Sequence, residues 1–403
     1  MAKKKDKLLY FALLLLYSVA YNNNLRGNQL LWFGSNAIVL IILVKRILIN
    51  NHAKVRINFF IKWAITIFSF FCVSILWSPN RSFPNSMFSL ALIFLIDILL
   101  ATAINSQEEL HMILFVNYLA LLFSGLYVIM SIDRSLLGQV RISSTMENAW
   151  NSNDLSIKMC IGSAIATYFA YETRSKARFI FWGSFLFFAI IIMYSGSRTG
   201  FLLLMLIVLF NMLIRTSGIK RMGAIVGSIV FVIIIYFLVI YYEPFYQVMG
   251  RRLEVMIDGL FGGGTSEGSF NIRKNMIESG IQFFWQKPIL GHGIDSFRTL
   301  YGMLGGMETY SHNNFIEMLV SGGVVGFIIY YSIYVYIFKA MWRTTFIEKD
   351  SFSMCLFVII FTMLLVQVST ISYYKTETYT ILLMGILYSS LKRRNASIMS
   401  GDK

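Results

Sequence analysis

A chain of 403 residues with 57% hydrophobic, 16% aromatic and only 14% charged side chains lies far from a soluble domain, which carries about 25% charged residues. Its apolar residues come in runs of roughly 17 to 22, the length that crosses a hydrocarbon core of about 30 Å. The expected fold class is an all-α polytopic membrane protein, a single integral membrane domain over residues 1–403. The formal net charge of +15 does not point to nucleic acid, because no basic soluble face with base-stacking aromatics accompanies it.

In chain order, twelve helical spans are expected near residues 8–21, 29–48, 58–77, 86–104, 111–130, 154–171, 179–195, 199–215, 222–242, 314–339, 351–371 and 374–391. Helices are required because an open sheet edge leaves backbone groups unsatisfied in lipid. Lys3, Lys4, Lys5 and Lys7 precede the first run, and no small-residue cleavage site follows it. That pattern reads as a retained helix, not a removed signal peptide.

Basic residues gather on alternate loops. One set holds Lys45, Arg46, Lys54 and Arg56, then Arg174, Lys176 and Arg178, then Arg215, Lys220 and Arg221. It continues with Lys339, Arg343 and Lys349, and ends with Lys392, Arg393 and Arg394. The short loops of the opposite set hold only Arg26, Arg81, Arg134, Arg141, Arg198 and Lys375. The positive-inside rule then places both termini in the cytoplasm, and the charge excess is mainly a topology signal.

Two outer segments stand out. Residues 131–153 read SIDRSLLGQVRISSTMENAWNSN. Residues 243–313 form a loop of about 70 residues, a length that marks a functional segment. Its FGGGTSEGS stretch is a flexible linker by composition. The following NIRKNMIESGIQFFWQ spaces Ile272, Met276, Ile277, Ile281 and Phe284 as an amphipathic helix on the membrane surface. Asn271 is the expected cap, and Pro288 with Gly291 the expected end. Cys72, Cys160 and Cys355 lie inside apolar runs and read as packing residues.

Chemistry concentrates on the outer side. His52 and His111 fall on the cytoplasmic side, whereas His292 and His312 fall in the long loop. His312 sits where the loop re-enters the membrane, between Ser311 and the pair Asn313–Asn314. An imidazole of ordinary pKa, about 6.5, takes a proton from a hydroxyl at neutral pH. His292, between two glycines, reads as part of a turn.

Arg198 lies in SGSRTG, a polar break between two apolar spans, where a cation needs a partner or a water-filled cavity. Together with Arg141 and Arg273 it would make a clamp for a diphosphate, since each guanidinium binds phosphate oxygens as a fork. The competing reading is three separate snorkelling side chains. Glu308, Glu317 and Asn313 lie near His312 in sequence, with Asp295 in the turn before it; a partner for the imidazole and a solvated or capping role both fit. Asp97, alone in the fourth span, is expected to make an intramembrane hydrogen bond. There is no HExxH, paired-Asp box or P-loop, so a metal-independent reaction without a cofactor is expected.

The order SGSRTG, then a helix with Arg273 and Trp285 leading into KPILGHGIDSF, then SHNNFIEMLVSGGVVGF, resembles the O-antigen ligase and polymerase superfamily over about residues 193–331. RISSTMENAWNSNDLS, from Arg141 to Ser156, resembles that family's upstream loop, in which asparagines open a span. The resemblance implies a GT-C-like glycosyltransferase acting on polyprenyl-diphosphate-linked sugars at the outer face. The family's essential arginines match Arg198 and Arg273, and its essential histidine matches His312. By implication the arginines hold the leaving diphosphate while His312 activates the acceptor hydroxyl. Implied partners are an undecaprenyl-diphosphate-linked oligosaccharide, membrane lipids, and flippase and chain-length regulator proteins, with no nucleic acid. Departures are the FGGGTSEGS stretch and the second asparagine, Asn314, after His312–Asn313.

The first expectation is a polysaccharide repeat-unit polymerase, transferring a glycan from one undecaprenyl diphosphate to a carrier-linked repeat. The alternative is an O-antigen ligase with lipid A core as acceptor. A composition rich in Asn, Ile and Lys hints at an AT-rich genome; a host without an outer membrane would have no such acceptor, which tilts the reading to the polymerase. A twelve-span secondary transporter would show repeated halves with matching broken helices, and no internal repeat is present. A purely structural scaffold would leave Arg198 unexplained.

Overall fold

In the computed structural model the described residues are 7–49, 58–80, 83–133, 135, 138–142, 151–260 and 268–400. Lys3, Lys4, Lys5, His52, Lys54, Arg56, Arg81, Arg134, residues 143–150 of the first outer segment and residues 261–267 of the linker lie outside them.

The regular elements are helices. They begin with α1 (Lys7–Tyr21), α2 (Asn23–Gly27), α3 (Gln29–Ile49), α4 (Phe59–Val73), α5 (Phe83–Ala103) and α6 (Gln107–Ser131). Next come α7 (Ser152–Glu172), α8 (Arg178–Ser195), α9 (Arg198–Arg215), α10 (Ile219–Tyr241), α11 (Glu243–Phe245) and α12 (Arg251–Leu260). The chain closes with α13 (Gly268–Gln286), α14 (Ser296–Met303), α15 (Asn314–Trp342), α16 (Ser351–Val366) and α17 (Thr376–Ser400).

All twelve expected runs fall on helices, and among the described residues eight helices are long and apolar enough to cross a membrane. Two more apolar ones, α1 and α16, are shorter. α16 ends at Val366 instead of continuing to 371, because the Gln367 carbonyl accepts from the Asn314 amide at 2.7 Å. The low hydropathy of α7 has a packing cause. Sixteen of its 21 residues are buried, Ser156, Lys158, Ser163 and Thr167 among them, so it faces protein and not lipid. α10 is the opposite case: only Ser228 and Val239 are buried, which leaves an apolar surface suited to lipid.

The chain divides into two compact units. The first comprises Met1–Leu43, Ser106–Thr265 and Met341–Thr362. Here α7 packs on α6, α8 and α9. Lys158 is 2% exposed and pairs with Asp154 one turn earlier at 2.7 Å, as a cation in an apolar interior requires. Cys160 and Cys355 are buried packing residues, and Cys72 of the other unit is half-buried.

The second unit comprises Val44–Asn105, Ser266–Ala340 and Met363–Lys403. Trp63 lies at its centre, within about 6 Å of the Phe94, Tyr330 and Tyr379 rings, and its Nε1 donates to the Ile329 carbonyl at 2.7 Å. Asp97 makes the expected intramembrane bond, accepting from the Thr380 hydroxyl at 3.0 Å.

α15 is broken at Gly323, whose φ of 58° and ψ of −160° lie outside the helical region. The turn Pro288–Gly293 fills the break. His292 and Gly293 amides donate to the Val320 and Ser321 carbonyls at 2.8 and 2.9 Å, while Val324 and Val325 amides donate to the Pro288 and Ile289 carbonyls at 2.8 and 3.1 Å. The backbone groups freed by the break are thereby satisfied from a second segment, as an interrupted membrane helix requires.

Candidate functional site

In the first unit the site begins at the SGSRTG break. α8 ends at Ser195, Gly196 turns the chain with φ 62°, and Ser197 caps α9 by accepting from the Gly200 amide at 3.1 Å. The Ser197 hydroxyl in turn donates to Asn153 Oδ1 at 2.7 Å. A Cβ on Gly200 would run into the Ser156 side chain, so the first turns of α7 and α9 lie as close as backbone allows. Arg198 is the first residue of α9, half-buried, at a helix end where backbone N–H groups and the dipole favour an anion.

Two further arginines approach the same break. Arg141 Nε donates to the Ser195 carbonyl at 3.3 Å. Arg252 Nη1 donates to the Gly196 carbonyl at 3.0 Å. Cations at the C-terminal carbonyls of a helix are electrostatically favoured, and both carbonyls belong to the end of α8. The expected grouping is of Arg141, Arg198 and Arg273, and the first two lie at this break. Arg252 was not part of it; its only sequence signal is the Arg251–Arg252 pair that opens an amphipathic helix.

In the second unit the candidate residue is His312. It precedes α15 with φ 55°, in the left-handed region, which costs a side-chain-bearing residue about 1–2 kcal/mol. Ser311 is pinned first: its amide and hydroxyl lie 3.0 and 2.7 Å from Glu317 Oε2. Asn313 follows, its Oδ1 accepting from the Phe315 and Ile316 amides at 3.0 and 3.2 Å as the cap of α15. Asn314 is fully buried, donating to Tyr331 and Gln367 and accepting from the Ser372 amide. The His312 ring lies against Tyr310, with centroids 4.3 Å apart.

Arg273 projects from α13 in this same unit. Burial first, and the Arg273 charge second, lower the His312 pKa from 6.5 to about 4. The imidazole is therefore neutral at physiological pH. α13 begins at Gly268, so Asn271 lies inside the helix and is not its cap; the helix ends at Gln286, just before Pro288 as expected.

His292 belongs to the turn. It is 5% exposed and its Nε2 donates to the Phe283 carbonyl at 2.9 Å, tying α13 to the docked turn; burial lowers its pKa as well. His111 lies on α6 with its Nδ1 2.8 Å from the Tyr168 hydroxyl. Among the carboxylates, Glu317 reaches Ser311, whereas Glu308 is exposed and lies over Gly302 at the end of α14. Asp295 is buried in the GIDSF turn, and burial raises its pKa against opposing effects of Arg298, Tyr373, Ser86 and Tyr374.

No curated protein matches the chain. Residues 183–331 match the family model described as O-Antigen ligase. That segment runs from α8 through the Arg198 break, α13 and the docked turn to His312 and the first half of α15, and over it the chain is similar to the O-antigen ligase and polymerase superfamily.

Proposed function

We propose that the protein is a metal-independent glycosyltransferase of the cytoplasmic membrane, with its site on the outer face and both termini inside. In this reading it is a repeat-unit polymerase of surface polysaccharide such as O-antigen, capsule or exopolysaccharide. The donor is a glycan on undecaprenyl diphosphate, and the acceptor is a carrier-linked repeat unit.

The observation that carries the reading is a half-buried histidine held in the left-handed region just ahead of α15, its pKa lowered first by burial and second by the Arg273 charge, with both residues inside the matched segment. The acceptor oxygen forms a bond to the anomeric carbon as the bond from that carbon to the diphosphate breaks. His312 takes the hydroxyl proton, and the diphosphate leaves with the electron pair. Arg273 stabilises the departing charge, an electrostatic contribution of the kind that dominates such reactions. Arg198 and Arg141 are assigned to the same ligand class, diphosphate oxygens, at the α9 terminus. Anion arrival at Arg273 offsets the smaller of the two effects that lower the His312 pKa, burial being the larger, so donor binding raises the basicity of the imidazole in part.

Glu317 and Asn313 hold the residues on either side of His312 and are supports of the turn; Glu308 has no assigned part. Chain-length regulators and a flippase are the partners this reaction calls for, since one must deliver the carrier-linked repeat and another must end the polymer.

The test is surface-glycan analysis of a deletion strain. Single carrier-linked repeats identify a polymerase, whereas full-length carrier-bound polymer identifies a ligase with lipid A core as acceptor. Unaltered glycan overturns both.

A further inference from the structure

Behind the His312 turn lies a buried polar chain that the proposed reaction does not use. Tyr373, between α16 and α17, is 1% exposed, and its hydroxyl lies 3.3 Å from Asp295 Oδ1 and 3.5 Å from Glu317 Oε1. The other oxygen of Asp295 accepts from the Ser86 hydroxyl of α5 at 3.3 Å. The other oxygen of Glu317 holds Ser311, the residue before His312. Ser86, Asp295, Tyr373, Glu317 and Ser311 thus run as one chain through five separate segments of this unit.

Two features set this chain apart from ordinary packing. It contains one strained residue and ends beside another: Asp295 has φ 57° and His312, next to Ser311, has φ 55°, both left-handed without being glycine. Such strain persists only where the surroundings over-determine it. Second, one phenol proton stands between two buried carboxylates, a costly arrangement that an apolar core of the same shape would avoid. Arg298 of α14 and the Tyr374 hydroxyl are the other charged and titratable groups acting on Asp295.

We propose that Tyr373 and Asp295 are positioning residues, locking Glu317 and through it the Ser311–His312 turn that presents the imidazole. The inference rests on the reading of His312 as the base, but its test does not depend on transfer. Tyr373→Phe removes one oxygen and keeps the ring. In the detergent-solubilised full chain, carbethoxylation of each histidine by diethylpyrocarbonate is followed against pH by peptide mass spectrometry. The expected result is that His312 reacts about fivefold faster in the variant, the factor carried by one hydrogen bond of ordinary strength. Its midpoint should also rise from about 4 towards 6.5, while His292 keeps its rate. An unchanged His312 rate and midpoint in folded Y373F overturns the proposal. If His292 also accelerates, the variant has unfolded, and Asp295→Asn decides by the same two readouts: a shift limited to His312 supports the proposal, and none overturns it. A shifted His312 with normal polysaccharide would instead sink the base assignment and leave the positioning role intact.

Discussion

Gly291 and Gly323 meet backbone to backbone: a Cβ on Gly291 would lie 2.5 Å from the Gly323 amide nitrogen, and both residues have positive φ, 66° and 58°. This contact joins the loop turn to the break in α15, and the relation of α13 to His312 depends on it.

Either glycine changed to alanine should therefore destabilise the protein by about 3 kcal/mol, from left-handed strain plus backbone overlap. Gly305→Ala is the control, with φ 82° but open space around its Cβ, and should cost only the strain, about 1 kcal/mol. Thermal unfolding in detergent gives the comparison. Equal midpoints for G291A and G305A would refute the docked turn.

Arg273→Ala and Arg198→Ala should each reduce polymer by about a hundredfold or more, the loss expected when a fixed charge at a departing anion is removed. Lysine at either position should restore little, because a point charge cannot reproduce the bidentate fork. Gel separation of surface glycan, with membrane protein level measured in parallel, checks both. Full chain length with lysine would mean that charge alone suffices.

The pH dependence has a definite sign. His312 must be neutral to accept a proton, and its pKa of about 4 puts the acid limb of kcat/KM near pH 4 instead of 6.5. Arg273→Gln removes one of the two causes, so the midpoint of His312 should move upward, read by imidazole NMR titration. Stability follows the same group. Between about pH 6.5 and 4 the unfolded chain binds a proton that the folded one does not, so the fold loses stability as pH falls through this window and levels off below it. A His312 midpoint near 6.5 in the unmodified protein would remove the basis of this assignment.

Arg252→Gln should impair transfer although the residue lies outside every motif that resembles the family. It leaves the Gly196 carbonyl short of a charged donor, a loss of about 1–3 kcal/mol at the break that presents Arg198. Donor affinity measured with undecaprenyl diphosphate should fall about tenfold, within that range. Unchanged affinity and transfer would reduce Arg252 to a surface side chain.

Much of the molecule was legible in the chain alone. Apolar runs long enough for a bilayer are a local property, so every expected run overlaps a helix, though among the described residues eight helices are long and apolar enough to cross a membrane. The same holds for the amphipathic helix carrying Arg273 and the turn at Pro288. The candidate residues were also conspicuous there, since a histidine beside two asparagines and an arginine in a polar break stand out among apolar neighbours.

What only the tertiary structure decided were the partnerships. Nothing near Gly323 announces that its helix breaks to receive Pro288–Gly293, because the amides of Val324 and Val325 find their acceptors far back in the sequence, at Pro288 and Ile289. Asn313 reads as a partner for the imidazole but spends its side chain on capping α15. Arg252 gains a role only when α12 brings it to the end of α8. Hydrophobic length is written along the sequence because lipid acts on each helix alone. Hydrogen-bond satisfaction is not, because a buried polar group takes whatever partner the fold places within about 3 Å.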